Sequence, residues 1–366
     1  MKKKTRASPS LTDIARDILS CPTAQFREHR VREHILAFCR TRNIRTTVDA
    51  FGNVLAEYGT AFAKKPGICF SAHMDHPGFI VESVRGKNRV TAVTYGDFPC
   101  DPLTPRRVRI AGDKRETVGT IRRIVRDKVN RIKRLVIDTD GAAFPGYGMW
   151  DIPAYRLRDG IIYSRGCDDV IGCAAMLAMF DSLARERVRA RVLGAFTVAE
   201  EGGCHGAKYL CMNKGIPRGT PVISIETSKA LSNAPIGGGA VIRVGDKKSI
   251  FDPAVTKFLV DTAAGLSSQK TFRYQRRLMD GGTCEGTVYT DFYPTGAVCI
   301  PLGNYHNRNA DKNRIDAEYV STADLGMLVD LLAASARSSR DIAAYRRRKA
   351  PRYRMRRDVL GERCIG

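Results

Sequence analysis

Two adjacent carboxylates, Glu200 and Glu201, stand where the character of the sequence changes. Residues 191–198 before them form a β-branched and apolar run, and Gly202 and Gly203 follow directly. This pattern predicts a buried strand that carries a pair of acids at its carboxyl end. Neighbouring side chains at a strand end point in different directions, so one carboxylate can bind a metal ion while the other handles a proton. The spacing alone leaves open which acid has which role.

Other acids and histidines also follow predicted strands or begin a predicted helix. His73 and Asp75 end the apolar run at residues 67–72, and their two-residue spacing in an extended chain puts both side chains on one side. There the carboxylate can orient the imidazole or bind the ion from outside. The remaining candidates at such positions are Asp168, Asp169, Glu226 and His306.

The carboxyl ends of parallel strands meet at one edge of a sheet, which is where α/β proteins bind their ligands. Two histidines and at least three carboxylates gathered there suit two divalent cations, most naturally zinc, with cobalt and manganese also compatible. Two such ions that share a carboxylate would activate a water near neutral pH and stabilise the oxyanion of a carbonyl under attack. The acid left over would take the proton of the water and pass it to the leaving amine. These residue types predict metal-dependent hydrolysis of an amide.

The elements that must position these residues alternate between helices and strands. We predict helices at residues 11–21, 26–42, 173–183, 205–212, 253–264 and 323–334. We predict strands at residues 45–49, 54–58, 67–72, 191–198, 221–225, 240–244 and 295–300. This alternation predicts an α/β fold with a mainly parallel central sheet and helices on both faces.

Residues 79–161 differ from the rest, because short strands separated by turn residues replace the helical pattern. We interpret this segment as an inserted small all-β domain. The predicted organisation is therefore a catalytic domain made of residues 1–78 and 162–336, the insertion at 79–161, and a basic C-terminal tail at 337–366.

The charge of the chain is strongly positive. Its 366 residues carry a formal net charge of +23, which suggests attraction to anionic partners. Basic residues concentrate at residues 106–134 and 346–357. A contact between the tail and a polyanion is one expectation. A preference for acidic peptides is another, provided that the basic residues of the insertion face the site.

The composition also bears on the compartment. No window approaches 18 uninterrupted apolar residues, so we expect no membrane partner. Eleven cysteines without a Cys-x-x-Cys pair fit a reducing environment better than a disulfide framework. We therefore expect a cytoplasmic protein.

Six motifs together give the sequence a resemblance to a known family. In chain order they are SAHMDHPGFIV, GCDDVIGCAAML, TVAEEGGCHGA, VISIETS, GGTCEGTVY and CIPLGNYHNRN. They resemble the dinuclear-metal aminopeptidases that include bacterial glutamyl aminopeptidase and the tetrahedral, self-compartmentalising archaeal enzymes. That family places a second domain between the first two motifs, where the β-rich insertion at residues 79–161 lies here, and the resemblance implies that this domain serves oligomerisation or substrate access. The resemblance implies a metallo-aminopeptidase acting on peptides, assembled as a homo-oligomer for which twelve subunits is one arrangement.

The resemblance also assigns metal ligands. It implies that His73 and Glu226 hold one ion, that Glu201 and His306 hold the other, and that Asp168 bridges the two.

Two further residues would act beside these ligands. The resemblance makes Glu200 the general base, which decides between the adjacent acids Glu200 and Glu201. It makes Asp75 the partner that orients His73.

Three positions depart from the family pattern. Glu226 stands where the family's aminopeptidases usually carry aspartate, and related amide hydrolases often carry glutamate there. A dinuclear metal amidohydrolase of the carboxypeptidase or N-acyl-amino-acid deacylase type is therefore an alternative function. His76 and Cys284 replace two acids of the family, and we expect both in the substrate pocket. A non-catalytic basic scaffold that binds a polyanion is a second alternative, although a degenerate relative should have lost ligands that this chain retains.

Overall fold

The computed structural model describes residues 9–59, 65–99, 107–129, 131–268 and 271–347. Its helices are α1 Leu11–Leu19, α2 His29–Arg40, α3 Val170–Arg185, α4 His205–Met212, α5 Pro253–Leu266, α6 Glu285–Thr290, α7 Thr322–Arg337 and α8 Ile342–Arg347. The strands of the first half are β1 Arg45–Val48, β2 Val54–Gly59, β3 Ile68–His73, β4 Gly78–Arg85, β5 Arg89–Tyr95, β6 Arg107–Ala111, β7 Glu116–Arg126, β8 Ile132–Thr139, β9 Tyr147–Trp150, β10 Arg156–Arg158 and β11 Ile161–Ser164. Those of the second half are β12 Arg191–Thr197, β13 Val222–Lys229, β14 Ala240–Asp246, β15 Tyr274–Met279, β16 Thr295–Leu302, β17 Arg308–Asn309, β18 Arg314–Ile315 and β19 Glu318–Ser321.

Eight of these strands form the central sheet, in the order β1-β2-β12-β3-β13-β16-β14-β15. The four strands from β12 to β16 run parallel to one another, and β14 runs parallel to β15. The pairs β1–β2, β2–β12 and β14–β16 are antiparallel. The carboxyl ends of the four central parallel strands therefore lie at the same edge of the sheet.

Helices cover both faces of this sheet because successive strand residues point to opposite sides. In β3, Ile68 and Phe70 belong to the larger apolar cluster, which α1, α3, α5 and α7 complete. Cys69 between them belongs to a smaller cluster on the other face with residues of α4 and α6. Helix α3 packs against α1, α7 and β3, which explains why its sequence is apolar nearly all round. The predicted α/β class with covered faces is confirmed.

A closed barrel of six strands, in the order β4-β5-β8-β7-β6-β9, lies between β3 and β10 in the chain. Its interior is filled by large side chains, among them Phe79 and the stacked pair Phe98 and Trp150, whose ring centroids are 4.7 Å apart. The predicted small all-β unit is thus a barrel whose strands occupy residues 78–150. The remainder of the predicted insertion continues into β10 and β11, and β11 pairs with β19 in a separate three-stranded sheet.

Several elements escaped the sequence-based prediction. Strands β10, β11, β15 and β17 to β19 and helix α6 are all short or polar, so none has a clear apolar period.

The segment predicted as a basic tail divides into two parts. Its first part ends in α8, which packs against α5, with the Tyr345 hydroxyl donating a 2.8 Å hydrogen bond to Asp261 Oδ2. Residues 348–366, with the polyanion contact predicted for them, lie outside the described residues. Among the helices of the described segments, none is long and apolar enough to cross a lipid bilayer.

Candidate metal centre

The candidate residues meet at the edge formed by the carboxyl ends of the parallel strands. His73 is the last residue of β3 and pairs with Thr197, the last residue of β12. Glu200 and Glu201 follow in the turn after β12. Glu226 lies in β13, on the other side of β3. The parallel register of three neighbouring strands therefore places these side chains beside one another.

Two loops bring the remaining candidates to this edge. Asp168 precedes Asp169, the N-cap residue of α3, and the peptide bond between them is cis. The two acids have different partners. Asp169 Oδ1 accepts a 2.7 Å hydrogen bond from Thr227. His306 follows β16 with φ of 52°, a left-handed conformation that costs a residue with a side chain about 1 kcal/mol or more. The surrounding contacts must hold His306 in that conformation.

Asp168 joins two groups of potential metal ligands. Its Oδ1 is 3.6 Å from His73 Nε2, and its Oδ2 is 3.7 Å from His306 Nε2. His306 Nε2 is also 3.3 Å from Glu201 Oε2. The ligand atoms of His73, Asp168 and Glu226 lie within 4.8 Å of one another, as do those of Asp168, Glu201 and His306. The structure thus brings together all five predicted ligands as two triads that share one carboxylate.

The polar atoms of this cluster fit bound cations. Asp168 Oδ1, Glu201 Oε1 and both ring nitrogens of His306 are buried and have no hydrogen-bond partner within the described segments. Buried polar atoms without partners are costly, and several carboxylates held together repel one another. Divalent cations would satisfy both demands at once, and the mixed nitrogen and oxygen donors are of the type that binds them.

Asp75 is fully buried behind the first triad, and its backbone carbonyl accepts a 3.1 Å hydrogen bond from His73 Nδ1. Its side chain makes two further kinds of contact. Its Oδ1 is 3.4 Å from His73 Nδ1, the ring nitrogen that faces away from Asp168. Its carboxylate also accepts the backbone N–H groups of Glu200 and Glu201 at 2.9 and 3.1 Å. The first contact suits the predicted role of orienting His73, and the second fixes the turn that carries both glutamates.

Glu200 lies beside the triads without belonging to either. Its Oε2 is 3.9 Å from His73 Nε2, and its Oε1 accepts a 3.3 Å hydrogen bond from the thiol of Cys204. Burial raises the pKa of Glu200 to about 8; the positive charge of His73 opposes this change and the negative charge of Glu201 adds to it. A raised pKa makes a carboxylate a stronger base than a free glutamate, which suits a proton acceptor beside a cluster of metal ligands.

Carboxylates also change the pKa of the two histidines. Burial alone lowers the pKa of His73, but the nearby Asp168, Asp75 and Glu200 raise it well above its ordinary value. The pKa of His306 is likewise raised, against burial, chiefly by Glu201. Because a cation binds the deprotonated ring, protons compete with the cation for these nitrogens.

Two buried carboxylates that the sequence analysis did not single out support the cluster. Glu318 Oε2 accepts the N–H groups of Cys167 and Asp168 at 2.6 and 3.1 Å, and its Oε1 accepts the N–H of His306 at 2.8 Å. Glu28 Oε1 accepts the N–H of Ala199 at 3.0 Å, directly before the glutamate pair. Neither acid stands in a recognisable motif, so no local sequence signal could have identified them.

The two departures from the family pattern are both buried beside polar partners. His76 donates from Nδ1 to the backbone carbonyl of Asp168 at 2.6 Å and therefore supports that residue from behind. Cys284 has its Sγ 3.5 Å from Asp246 Oδ2. Neither side chain is among those that line the two cavities described next, and their place in the substrate pocket stays a prediction.

A small cavity, here named the strand-end cavity, adjoins the His73 triad and has a volume of about 80 Å³. Arg243 in its wall is buried, and its Nη1 donates a 3.2 Å hydrogen bond to Ser228. The residues that line this cavity include Glu226, Lys229, Arg243, Met279, Thr283 and Tyr305.

A larger depression, here named the barrel groove, adjoins the His306 triad and has a volume of about 980 Å³. Asp97 stands at its inner end, with Oδ2 3.8 Å from His306 Nδ1. The residues that line this groove include Asp97, Arg126, Arg131, Lys133, Glu201 and Arg308. The ligand cluster therefore lies between a small cavity and a long open groove.

Comparison with known proteins identifies the class of protein, which is a peptidase. A profile of the M42 glutamyl aminopeptidases matches residues 52–319, and the chain belongs to that family. It is 23% identical to the glutamyl aminopeptidase of Lactococcus lactis subsp. cremoris over 72% of its own length and 79% of that enzyme's. The predicted resemblance is confirmed.

Solved structures show the same fold. The TET1 peptidase of Pyrococcus horikoshii, described as assembling into a tetrahedron or a large octahedral shell, matches with a TM-score of 0.73 and 23% identity over 89% of this chain and 99% of that one. An aminopeptidase from the archaeon Desulfurococcus kamchatkensis matches with a TM-score of 0.74 and 20% identity over 94% of this chain and 99% of that one. The combination of an α/β sheet and an all-β unit is thus shared along nearly the whole chain.

Proposed function

We propose that this chain is a two-metal aminopeptidase that releases single residues from the N-termini of peptides. The observation that carries the proposal is the position of Asp168, which faces one triad with each of its two oxygens while Glu200 stands beside them. Membership of the M42 family supports the same reaction.

Two ions are held in this proposal, and zinc is the natural choice for the donor set, with cobalt or manganese compatible. One is bound by His73, Asp168 and Glu226, the other by Asp168, Glu201 and His306. When bound, these ions supply Lewis-acid polarisation of the scissile carbonyl and lower the pKa of the attacking water.

Glu200 is the general base of the proposed reaction. Its carboxylate takes the proton of the water as the oxygen attacks the carbonyl carbon, and then gives that proton to the leaving amine as the C–N bond breaks. Asp75 accepts the backbone N–H of Glu200 and so holds Glu200 close to the ligand cluster. Its carboxylate also orients the His73 ring from the side of Nδ1.

The unequal spaces on the two sides of the cluster favour removal of one residue at a time. The strand-end cavity, at about 80 Å³, suits a single side chain, whereas the barrel groove, at about 980 Å³, suits a longer stretch of peptide. We place the N-terminal residue in the cavity and the rest of the peptide in the groove.

The test is a panel of aminoacyl nitroanilides and N-acyl amino acids, measured with the metal-loaded protein before and after chelation. We expect turnover of free-amine substrates, its loss on chelation, and its return when a divalent metal is restored. The Glu200→Gln variant should keep two ions per chain and lose turnover by a factor of about 10²–10⁴, because its amide cannot accept the proton. Glu33→Gln, at an exposed position in α2, is the matched control.

Two results would contradict the proposal. Turnover confined to N-acyl amino acids would favour the amidohydrolase alternative, which the long side chain of Glu226 keeps open. No turnover of any substrate by the metal-loaded protein would favour the non-catalytic scaffold.

We further propose that the protein assembles as a homo-oligomer through its barrel. A structure of the TET1 peptidase is described as a dodecamer, and this chain covers 99% of that relative's length. Twelve subunits is therefore the arrangement we expect here. The cytoplasmic location and the polyanion contact of the tail stay predictions.

A further inference from the structure

The barrel groove begins directly at the ligand cluster. Glu201, whose Oε2 is 3.3 Å from His306, forms part of its wall, and so does Asp97, 3.8 Å from the same histidine. A peptide bond positioned over the cluster would therefore have groove on one side and the strand-end cavity on the other.

The groove is lined by positive charge from two parts of the fold. Arg126, Arg131 and Lys133 come from β7, β8 and the turn between them, whereas Arg308 comes from β17, outside the barrel. All four side chains belong to exposed residues. A ligand in the groove would meet basic groups from both parts of the fold.

The carboxylates near Arg308 and Lys133 leave much of the positive charge of these two side chains available. Arg308 Nη2 is 3.5 Å from Asp97 Oδ1, and Lys133 Nζ is 3.6 Å from Asp127 Oδ2. Both distances exceed those of a charge-assisted hydrogen bond, and the side chains of Arg308 and Lys133 remain 58% and 56% exposed. Such solvated pairs are weak and can yield to another carboxylate.

We propose that the barrel groove binds the part of a peptide substrate that follows the scissile bond and selects acidic side chains there. This inference rests on the proposed aminopeptidase function, because it takes the N-terminal residue to occupy the strand-end cavity. Glutamate or aspartate at the second and third residues would place carboxylates near Arg131 and Lys133 of the barrel and near Arg308 of β17. Guanidinium groups suit this task because they bind carboxylates through two parallel hydrogen bonds.

The strength of this selection follows from the exposure of the groove. An exposed ion pair changes binding about 2- to 5-fold, so two such contacts change it about 4- to 25-fold at low salt. Added salt screens these charges, so the preference for acidic residues should become smaller as the salt concentration increases.

The test compares two peptides that share their N-terminal residue, chosen as the one released fastest from nitroanilides. One peptide continues with Glu-Glu-Ala and the other with the uncharged isosteres Gln-Gln-Ala. We expect kcat/KM of the wild-type protein to favour the first peptide about 4- to 25-fold at low salt, with a smaller ratio at 0.5 M NaCl. The nitroanilide has no residue after the scissile bond and reports the aminopeptidase reaction by itself.

Variants locate the selection. The double change Arg131→Gln/Lys133→Gln should reduce the Glu-to-Gln ratio towards 1. Arg85→Gln/Lys87→Gln removes the same charge from the β4–β5 end of the barrel, where neither residue lines the groove, and should leave the ratio unchanged.

Each contrary result is distinguishable. Equal kcat/KM for the two peptides, with nitroanilide still turned over, would overturn the groove proposal alone. Absence of turnover of any free-amine substrate would overturn the proposed function and this inference with it. Inhibition by a single-stranded oligothymidylate stronger than by a glutamate peptide of equal charge would assign the groove to nucleic acid and overturn its selectivity for peptides.

Discussion

Glu318 connects the two triads without belonging to either. One of its oxygens accepts the N–H groups of Cys167 and Asp168, and the other accepts the N–H of His306. Asp168 faces both triads and His306 has a left-handed backbone, so both residues need a fixed support. A fully buried carboxylate that accepts three backbone donors supplies that support.

The Glu318→Gln variant tests this role. The amide keeps the shape of the side chain, but its NH2 group cannot accept an N–H, so at least one of the three backbone donors loses its partner. Residues that support ligands in this way typically change metal affinity 10- to 100-fold, and we expect a loss of that size in zinc titration calorimetry. Glu33→Gln is the control, and an unchanged zinc affinity in Glu318→Gln would contradict the role.

The candidate ligands were predictable at this scale because each follows an apolar strand or precedes an apolar helix. The family resemblance was needed to assign Glu200 and Glu201 to separate roles. Glu318 and Glu28 were not predictable, because their partners are backbone groups more than a hundred residues away along the chain or, for His306, in a loop whose conformation the sequence does not reveal.

Helix α8 was not predicted, because the basic charge of its segment hid a short helix that packs on the core. Its sequence was interpreted as the start of a basic tail, yet Ile342 is only 1% exposed within the larger apolar cluster. Tyr345 packs edge to face on Phe258 of α5, with ring centroids 5.8 Å apart. The short apolar stretch from Ile342 to Tyr345, with basic residues after it, was too weak a signal for a helix of six residues.

The Ile342→Ala variant measures the contribution of this helix. Truncating a buried isoleucine removes apolar burial and leaves a cavity, so we expect a loss of about 2–5 kcal/mol in the free energy of unfolding. Urea unfolding followed by circular dichroism gives the value. Ile250→Ala, at a side chain that is 69% exposed, should change it by less than about 0.5 kcal/mol. Equal effects of the two changes would show that α8 adds nothing to the core.

Strand β15 was missed for a physical reason. Strand β15 has the sequence YQRRLM and lies at the edge of the sheet, where only one neighbour covers it. An edge strand needs no continuous apolar run, so its sequence resembles a loop. The central strands β3, β12 and β16 are buried along nearly their whole length and were predicted from their apolar runs.

The sheet with its helices and the barrel contribute different residues to the candidate site. The sheet and its helices hold all five candidate ligands, whereas the barrel supplies three of the four cations in the barrel groove. In the proposed function, part of the net charge of +23 therefore acts on the substrate as well as on solubility.

The proposed assembly can be tested by mass. Light scattering should give a mass several times that of the 40.4 kDa chain, and twelve times it for a dodecamer. If the barrel forms the contacts, Val84→Asp/Val129→Asp should lower the mass, because these exposed apolar barrel positions would bury charge in the interface. Leu157→Asp/Met212→Asp, at exposed positions outside the barrel, is the control. A monomer at every concentration, or a mass unchanged in the barrel variant alone, would contradict this arrangement.

The barrel occupies one uninterrupted stretch, residues 78–150, while every candidate ligand comes from outside that stretch. Exchange of this one stretch would therefore keep all five candidate ligands and remove the contact that Asp97 makes with His306. A single grafted gene fragment is enough to give the ligand cluster a different groove.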